Sequence, residues 1–269
     1  MPHAMRGAAL VTGAGRRVGR ALALALAAAG LDVAVHYRGS ADEAGEVVTE
    51  IRAMGRRAAA VSADLCRPAE TATLVERAAD AVGPLHLLVN NASLFHADRF
   101  GALDLELWER HFETNLRAPI LLAQAFASQA PAALADGEAM ILNILDQRVL
   151  HANPQFFSYT LSKSALWTAT RTMAQTLAPR IRVNAVGPGP TLASIHQDAA
   201  AFAAEAQATP LAKAVEPQDI CAAALYLLNA RAVTGQMIAV DAGQHLAWRT
   251  PDILASDILA SDILEAGAR

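Results

Sequence analysis

An α/β fold is predicted: one doubly wound domain whose parallel seven-stranded sheet carries helices on both faces. Three observations predict it. Short apolar runs alternate with helix-length segments along nearly the whole chain. The runs are continuously apolar rather than alternating, as strands buried on both faces require. No shift in composition divides the 269 residues, so they are read as a single domain.

In chain order, Ala8 to Val11 reads as the first strand and Arg17 to Ala29 as a helix ended by Gly30. Asp32 to Tyr37 is the second strand, before a helix from about Ala41 to Met54 that ends at Gly55. Ala58 to Ser62 is the third, and Pro68 to Val82 a helix with proline in its first turn and Gly83 behind it. Leu85 to Val89 is the fourth strand. A long helical region then covers Leu105 to Leu134, with Asp104 as its N-cap. Met140 to Leu145 is the fifth strand, Pro154 to Ala178 a helix, and Ile181 to Val186 the sixth strand. Pro217 to Asn229 is the last helix and Gln236 to Val240 the last strand. Between Pro188 and Glu216 lies a stretch that is alanine-rich from Ile195 to Ala208. It follows a strand's carboxyl end, where open α/β sheets bind ligands, and reads as a substrate lid with a short helix or as a surface excursion. The tail from 249 to 269 repeats Asp-Ile-Leu-Ala-Ser, a period of five that suits neither helix nor strand, and reads as frayed or subunit-docking.

A net charge of −4 gives no reason to expect nucleic acid or an anionic membrane as partner. The two cysteines, Cys66 and Cys221, have no ligand spacing around them; no metal site is expected, and both read as buried thiols in a reducing compartment. The N-terminus lacks a signal-peptide pattern, and Ala21 to Ala29 is too short to span a bilayer, so a cytoplasmic location is expected.

Thr12-Gly13-Ala14-Gly15-Arg16-Arg17-Val18-Gly19 joins the first strand to the first helix. Glycines there let the backbone turn sharply and approach a pyrophosphate, which free N–H groups at the helix start can bind. That is a Rossmann-type arrangement for a dinucleotide. The second strand ends in His36-Tyr37-Arg38-Gly39-Ser40 without a carboxylate, Asp32 standing at the opposite end. Arg38 offers a planar donor fork to a 2′-phosphate, with Ser40 beside it and Arg16 or Arg17 adding charge, which favours NADP(H) over NAD. Asp64-Leu65 and Asn90-Asn91-Ala92-Ser93 follow the third and fourth strands at the same sheet edge, either along the nucleotide or as turn caps. Asn115, a mediocre helix-interior residue, either holds a water, distorts the helix or makes a core hydrogen bond.

Tyr159 and Lys163 lie one helical turn apart, where an ammonium lowers the phenol's pKa toward the range of a working acid or base. Asp146, at the end of the fifth strand, can be carried beside the phenol.

Taken together these motifs resemble the short-chain dehydrogenase/reductase family over roughly Ala8 to Gly243: the cofactor turn, Asn90-Asn91-Ala92, Asn115, Tyr159 with Lys163, Pro188-Gly189 and Val240-Asp241-Ala242-Gly243, in order. Two departures, Arg17 where the family has glycine and Asp146 where it has serine, resemble the pteridine reductase branch, as do His36 to Ser40 and the Asn-Ala-Ser-x-Phe segment Asn91 to Phe95. The resemblance implies that Phe95 stacks on a pterin ring, that Arg17 contacts cofactor phosphates and substrate, and that Ser93 bridges the two. The nicotinamide would lie near Pro188, Gly189 and Thr191, with Lys163 on its ribose, Tyr159 as proton donor and Asp146 as relay. Asn115 belongs to the implied catalytic set, and the usual assembly is a homotetramer. A reductase of another carbonyl or alcohol (a 3-oxoacyl thioester, sugar or alicyclic ketone) and a non-catalytic NADP-binding sensor are the other readings.

Overall fold

The computed structural model describes residues 7–130, 134–193 and 197–248; the expected tail at 249–269 lies outside them. Seven parallel strands, β1 (Ala8–Val11), β2 (Asp32–Tyr37), β3 (Ala58–Ser62), β4 (Leu85–Asn90), β5 (Ala139–Ile144), β6 (Ile181–Pro188) and β7 (Met237–Val240), form one sheet in the order β3-β2-β1-β4-β5-β6-β7. The apolar runs are needed because successive side chains enter different cores. Ala9 and Val11 pack on one face with Leu22 and Leu26 of α1 (Arg17–Ala28), Val47 and Ile51 of α2 (Ala41–Ala53) and residues near the end of the chain. Ala8 and Leu10 enter the opposite core with Leu74 and Val75 of α3 (Pro68–Val82).

The long helix expected over 105–134 is interrupted. α4 (Leu105–Phe112), capped by Asp104 whose carboxylate accepts the Leu107 N–H at 3.1 Å, runs into a π-helical turn, Glu113–Arg117, before α5 (Ala118–Gln129). An ordinary helix would need residue 119 to donate to the Asn115 carbonyl, and Pro119 has no N–H. Residues 131–133 of the expected helix fall outside the described ones. The helix carrying Tyr159, α6 (Phe157–Leu177), starts three residues later than expected, after a left-handed Phe156 with φ of 54°. In the stretch expected to form a lid, α7 (Ala199–Gln207) is capped by Asp198, and α8 (Pro217–Asn229) closes the sheet's first face through Ile220, Ala224 and Leu227. Residues 194–196 of that stretch are not among those described.

Arg182 on β6 is buried, and no carboxylate pairs with it among the described residues. Its guanidinium instead donates to the carbonyls of Gly137 at 2.8 Å, Leu227 at 2.7 Å and Leu228 at 2.8 Å, closing the carboxyl end of α8. Cys221 is buried as expected, but Cys66 is only half-buried, its Sγ lying 3.2 Å from the Thr114 hydroxyl. Among the described residues no helix is long and apolar enough to cross a membrane. No cluster of His, Cys, Asp and Glu there has the makings of a metal site.

Candidate functional site

The sheet order reverses between β2-β1 and β1-β4, so loops leaving the strand ends there diverge and open a crevice. A cleft of about 1680 Å³ lies along those ends. Its wall includes Gly13, Arg16, Arg17, Val18 and Gly19 from the first turn, and His36, Tyr37, Arg38 and Ser40 from the second. Asp64, Leu65, Asn91, Ala92, Ser93, Phe95, Asp146, Tyr159, Lys163, Pro188, Gly189 and Thr191 complete the expected set. Two expected residues are not on the wall: Gly15 is buried behind the turn, and Asn115 is fully buried.

Several expected cofactor contacts prove to be braces. Gly13 takes a left-handed φ of 63°, and its N–H donates to His36 Nδ1 at 3.0 Å. That leaves the proton on Nε2, which donates to the Ala63 carbonyl at 3.1 Å. His36 thus ties the glycine turn to the end of β3 instead of offering a nitrogen to the cleft. The Asn91 amide donates to the carbonyls of Thr12 at 2.8 Å and Gly13 at 3.2 Å, holding the same turn from the other side. A side chain at Gly19 would run into the Gly13 carbonyl, so the glycine spacing serves close packing of this turn. Asp64 caps its own loop, accepting the Cys66 N–H at 3.0 Å.

Burial pushes the His36 pKa down from 6.5 to about 4, and that of the buried His111 likewise to about 4. A base with a depressed folded-state pKa leaves stability intact above 6.5 and removes it as pH falls toward 4, because the unfolded chain binds the proton first. Each such histidine costs on the order of 3 kcal/mol across that window. Denaturant midpoints measured from pH 7 to pH 4 should fall in the wild type through these two histidines, and His36→Gln should make that fall shallower.

Arg17 stands on the cleft wall and reaches across it. It has φ of 54°, a left-handed conformation that strains a residue with a Cβ by about 1–2 kcal/mol. Its guanidinium donates to the carbonyls of Leu192 at 3.1 Å and Ala193 at 3.0 Å. Arg16 faces Glu43 at 3.6 Å. Arg38 is exposed, lines the cleft and makes no ion pair among the described residues. Asp32, at the far end of β2, is held by Arg57 at 2.8 Å. After β6, Gly189 packs so closely on Asp241 that a Cβ would stand 2.6 Å from its Cα, and Thr191 donates to the Gly189 carbonyl at 3.0 Å.

The other end of the cleft holds the acid–base groups. Tyr159 donates to Asp146 Oδ2 at 2.8 Å, and Asp146 Oδ1 accepts the Arg148 N–H at 2.8 Å. Burial raises the Asp146 carboxyl's pKa. Burial first, and the neighbouring carboxylate second, raise Tyr159 well above the usual phenol range. The expected depression by Lys163 is therefore reversed. Lys163 donates to the Ile144 carbonyl at 2.8 Å, and burial lowers it to about 8. Both shifts favour the neutral forms of Asp146 and Tyr159.

Asn115 clamps the loop that follows β4. Its side chain accepts the Leu94 N–H at 2.8 Å and the Ser93 hydroxyl at 3.2 Å, and donates to the Leu94 carbonyl at 3.0 Å and to Ser162 at 3.1 Å. The π turn rotates it toward that loop. Phe95 is in the cleft, with its ring edge-on to Tyr159 at 4.7 Å, but Phe156 stacks on one face at 4.1 Å, so at most one face remains for a flat substrate. Residues the sequence reading missed are Arg148, whose guanidinium carbon lies 5.1 Å from the centre of the Phe156 ring, and Asp98 and His111. Asp98 accepts the Ser158 N–H, and His111 pairs with the Ser158 hydroxyl at 2.6 Å, together fixing the start of α6. The Asp–Gln–Arg run at 146–148 was the available signal for Arg148; nothing local marks the other two.

Residues 13–245 match the family profile described as enoyl-(acyl carrier protein) reductase. The chain is 48% identical to FolM alternative dihydrofolate reductase 1 from Brucella canis, whose crystal structure is complexed with NADP, with a TM-score of 0.88 over 93% of this chain and 98% of that one. It is 37% identical to an uncharacterized oxidoreductase of Mycobacterium tuberculosis over 87% of this chain and 90% of the relative. It is also 34% identical to a 3-oxoacyl-[acyl-carrier-protein] reductase of Synechocystis, over 87% and 95%.

Proposed function

From the premise that the chain belongs to the short-chain dehydrogenase/reductase family, we propose that it reduces a pterin, of dihydropteridine, dihydromonapterin or dihydrofolate type, with NADPH. The observation that carries this reading is the Tyr159–Asp146 pair, 2.8 Å apart with both groups raised, beside the ring of Phe95. Reduction of a C=N bond leaves a ring nitrogen that must gain a proton, and a buried phenol backed by a carboxyl holds one ready at neutral pH. The 48% identity to the Brucella enzyme supports the same reading.

The cleft suits NADP(H). The braced glycine turn leaves the first N–H groups of α1 for a pyrophosphate, and Arg38 with Ser40 stands where a 2′-phosphate would lie. When bound, the cofactor supplies the hydride. Tyr159 delivers its hydroxyl proton to the ring nitrogen, and Asp146, protonated from the cleft, passes a proton through Oδ2 to the phenolate left behind. Lys163, fixed on the Ile144 carbonyl, adds positive charge beneath the Tyr159 ring, 5.9 Å from its centre. Within the expected lid, α7 acts as the substrate cover: its Phe202 and Glu205 face the cleft. Pairing of copies through α5 and α6, where Ile120 and Leu161 are exposed, fits the expected homotetramer.

A panel assay following NADPH absorbance tests the reading. Dihydrobiopterin or dihydrofolate should be turned over, and acetoacetyl thioesters and alicyclic ketones should not; the reverse pattern would assign the 3-oxoacyl activity instead. In the same assay Arg38→Asp should raise the KM for NADPH by about 10–100-fold and leave that for NADH within a few-fold, since a charge-assisted bidentate contact is replaced by repulsion. An unchanged cofactor ratio would remove Arg38 from the 2′-phosphate site.

A further inference from the structure

Resting on the pterin reading above, we propose that Gln147 recognises the hydrogen-bonding edge of the substrate ring and so selects heterocycles over simple ketones. Gln147 follows Asp146 directly and opens the 3-10 turn Gln147–Val149. The residue is 5% exposed and lies on the cleft wall with Phe95, Asp146, Phe156 and Tyr159. Its Oε1 is sealed from solvent with no hydrogen-bond partner among the described residues, and none of those residues accepts from its Nε2.

Buried amides are nearly always paired, and one left unpaired costs stability that an apolar side chain of the same volume would not. Packing therefore gives no reason for glutamine here; a partner that enters the cleft does, once the carboxamide rotates to turn Oε1 toward it. A carboxamide presents a donor and an acceptor side by side. A flat ring matches it when an N–H stands beside a carbonyl or a ring nitrogen, as on a pterin. A 3-oxoacyl thioester or an alicyclic ketone offers carbonyls with no N–H beside them, and Tyr159 already serves the one that is reduced. One peptide unit separates this amide from the proton-holding carboxyl, so reading the edge also sets which ring atom meets Tyr159. A site built to pair with polar groups discriminates against substrates lacking them far more sharply than an apolar pocket does.

The test uses Gln147→Met, an apolar side chain of similar length, with Gln147→Leu as a second variant. KM and kcat for 7,8-dihydrobiopterin, KM for NADPH and the melting temperature of the ligand-free protein are measured. Expected are a KM for dihydrobiopterin raised by about 10–100-fold, a change in kcat of less than about 3-fold, an unchanged KM for NADPH, and a melting temperature equal to or above wild type. A purely structural amide would instead lower the melting temperature and spare the pterin KM, and that result overturns the proposal. So does a joint loss of NADPH and pterin binding in both variants, which marks a packing defect. Wild-type protein that reduces a ketone but not dihydrobiopterin overturns the pterin reading and this inference with it. Active wild type with an unaltered pterin KM in the variants overturns this inference alone.

Discussion

Tyr159→Phe should lower kcat by about 10²–10⁴-fold while NADPH affinity stays within a few-fold of wild type. The variant keeps the ring that Phe95 meets edge-on at 4.7 Å and removes only the hydroxyl. Lys163 is anchored on the Ile144 carbonyl, not on the phenol, so the cofactor end of the cleft is unaffected. Asp146→Asn should lose turnover as well, because its carboxamide keeps an acceptor for only one of the phenol and the Arg148 N–H and cannot carry a proton. Stopped-flow reduction with fluorescence titration of NADPH separates the two effects. Near-normal turnover in Tyr159→Phe would take the donor role from this residue.

Arg182→Ala should be the most destabilising single change among those considered, by about 3–5 kcal/mol. The side chain is 4% exposed and supplies donors to the Gly137 loop and to the last carbonyls of α8. Without it those carbonyls stay buried and unpaired, and a cavity is left behind. Arg182→Lys should rescue only part, because a single ammonium cannot span acceptors on three sides. Chemical denaturation at neutral pH measures this. A midpoint within about 0.5 kcal/mol of wild type would show that α8 closes without the guanidinium.

The element order and the strand boundaries were legible because they depend on local composition. A run such as Ala8 to Val11 has no polar face in either direction, and only a sheet covered on both sides accommodates it. The pairing of Asp146 with Tyr159 was also within reach, since a strand end and the following helix constrain where both side chains emerge. Less legible was the interruption at Asn115. Pro119 signalled a fault in the helix, but the form of the fault depends on the loop at Ser93 and Leu94 that Asn115 grips. The same holds for His36 and Asn91. Each has a side chain suited to a ligand, and only the proximity of the glycine turn shows that its polar atoms are already occupied.

Charge states lay further from the sequence still. Spacing alone put Lys163 beside Tyr159 and so implied a depressed phenol; the fold places the ammonium on a backbone carbonyl and the phenol against a carboxylate in a dry site, and the shift changes sign. Arg17 reads locally as a phosphate ligand, and only the fold shows that the segment after β6 also lies within its reach. Chain order carried the family, the sheet and the set of residues that gather at the strand ends, because periodicity and turn chemistry act over a few neighbours. Which of those residues brace the cleft and which face into it was set by contacts between segments tens of residues apart, because burial and hydrogen-bond satisfaction are properties of the packed whole.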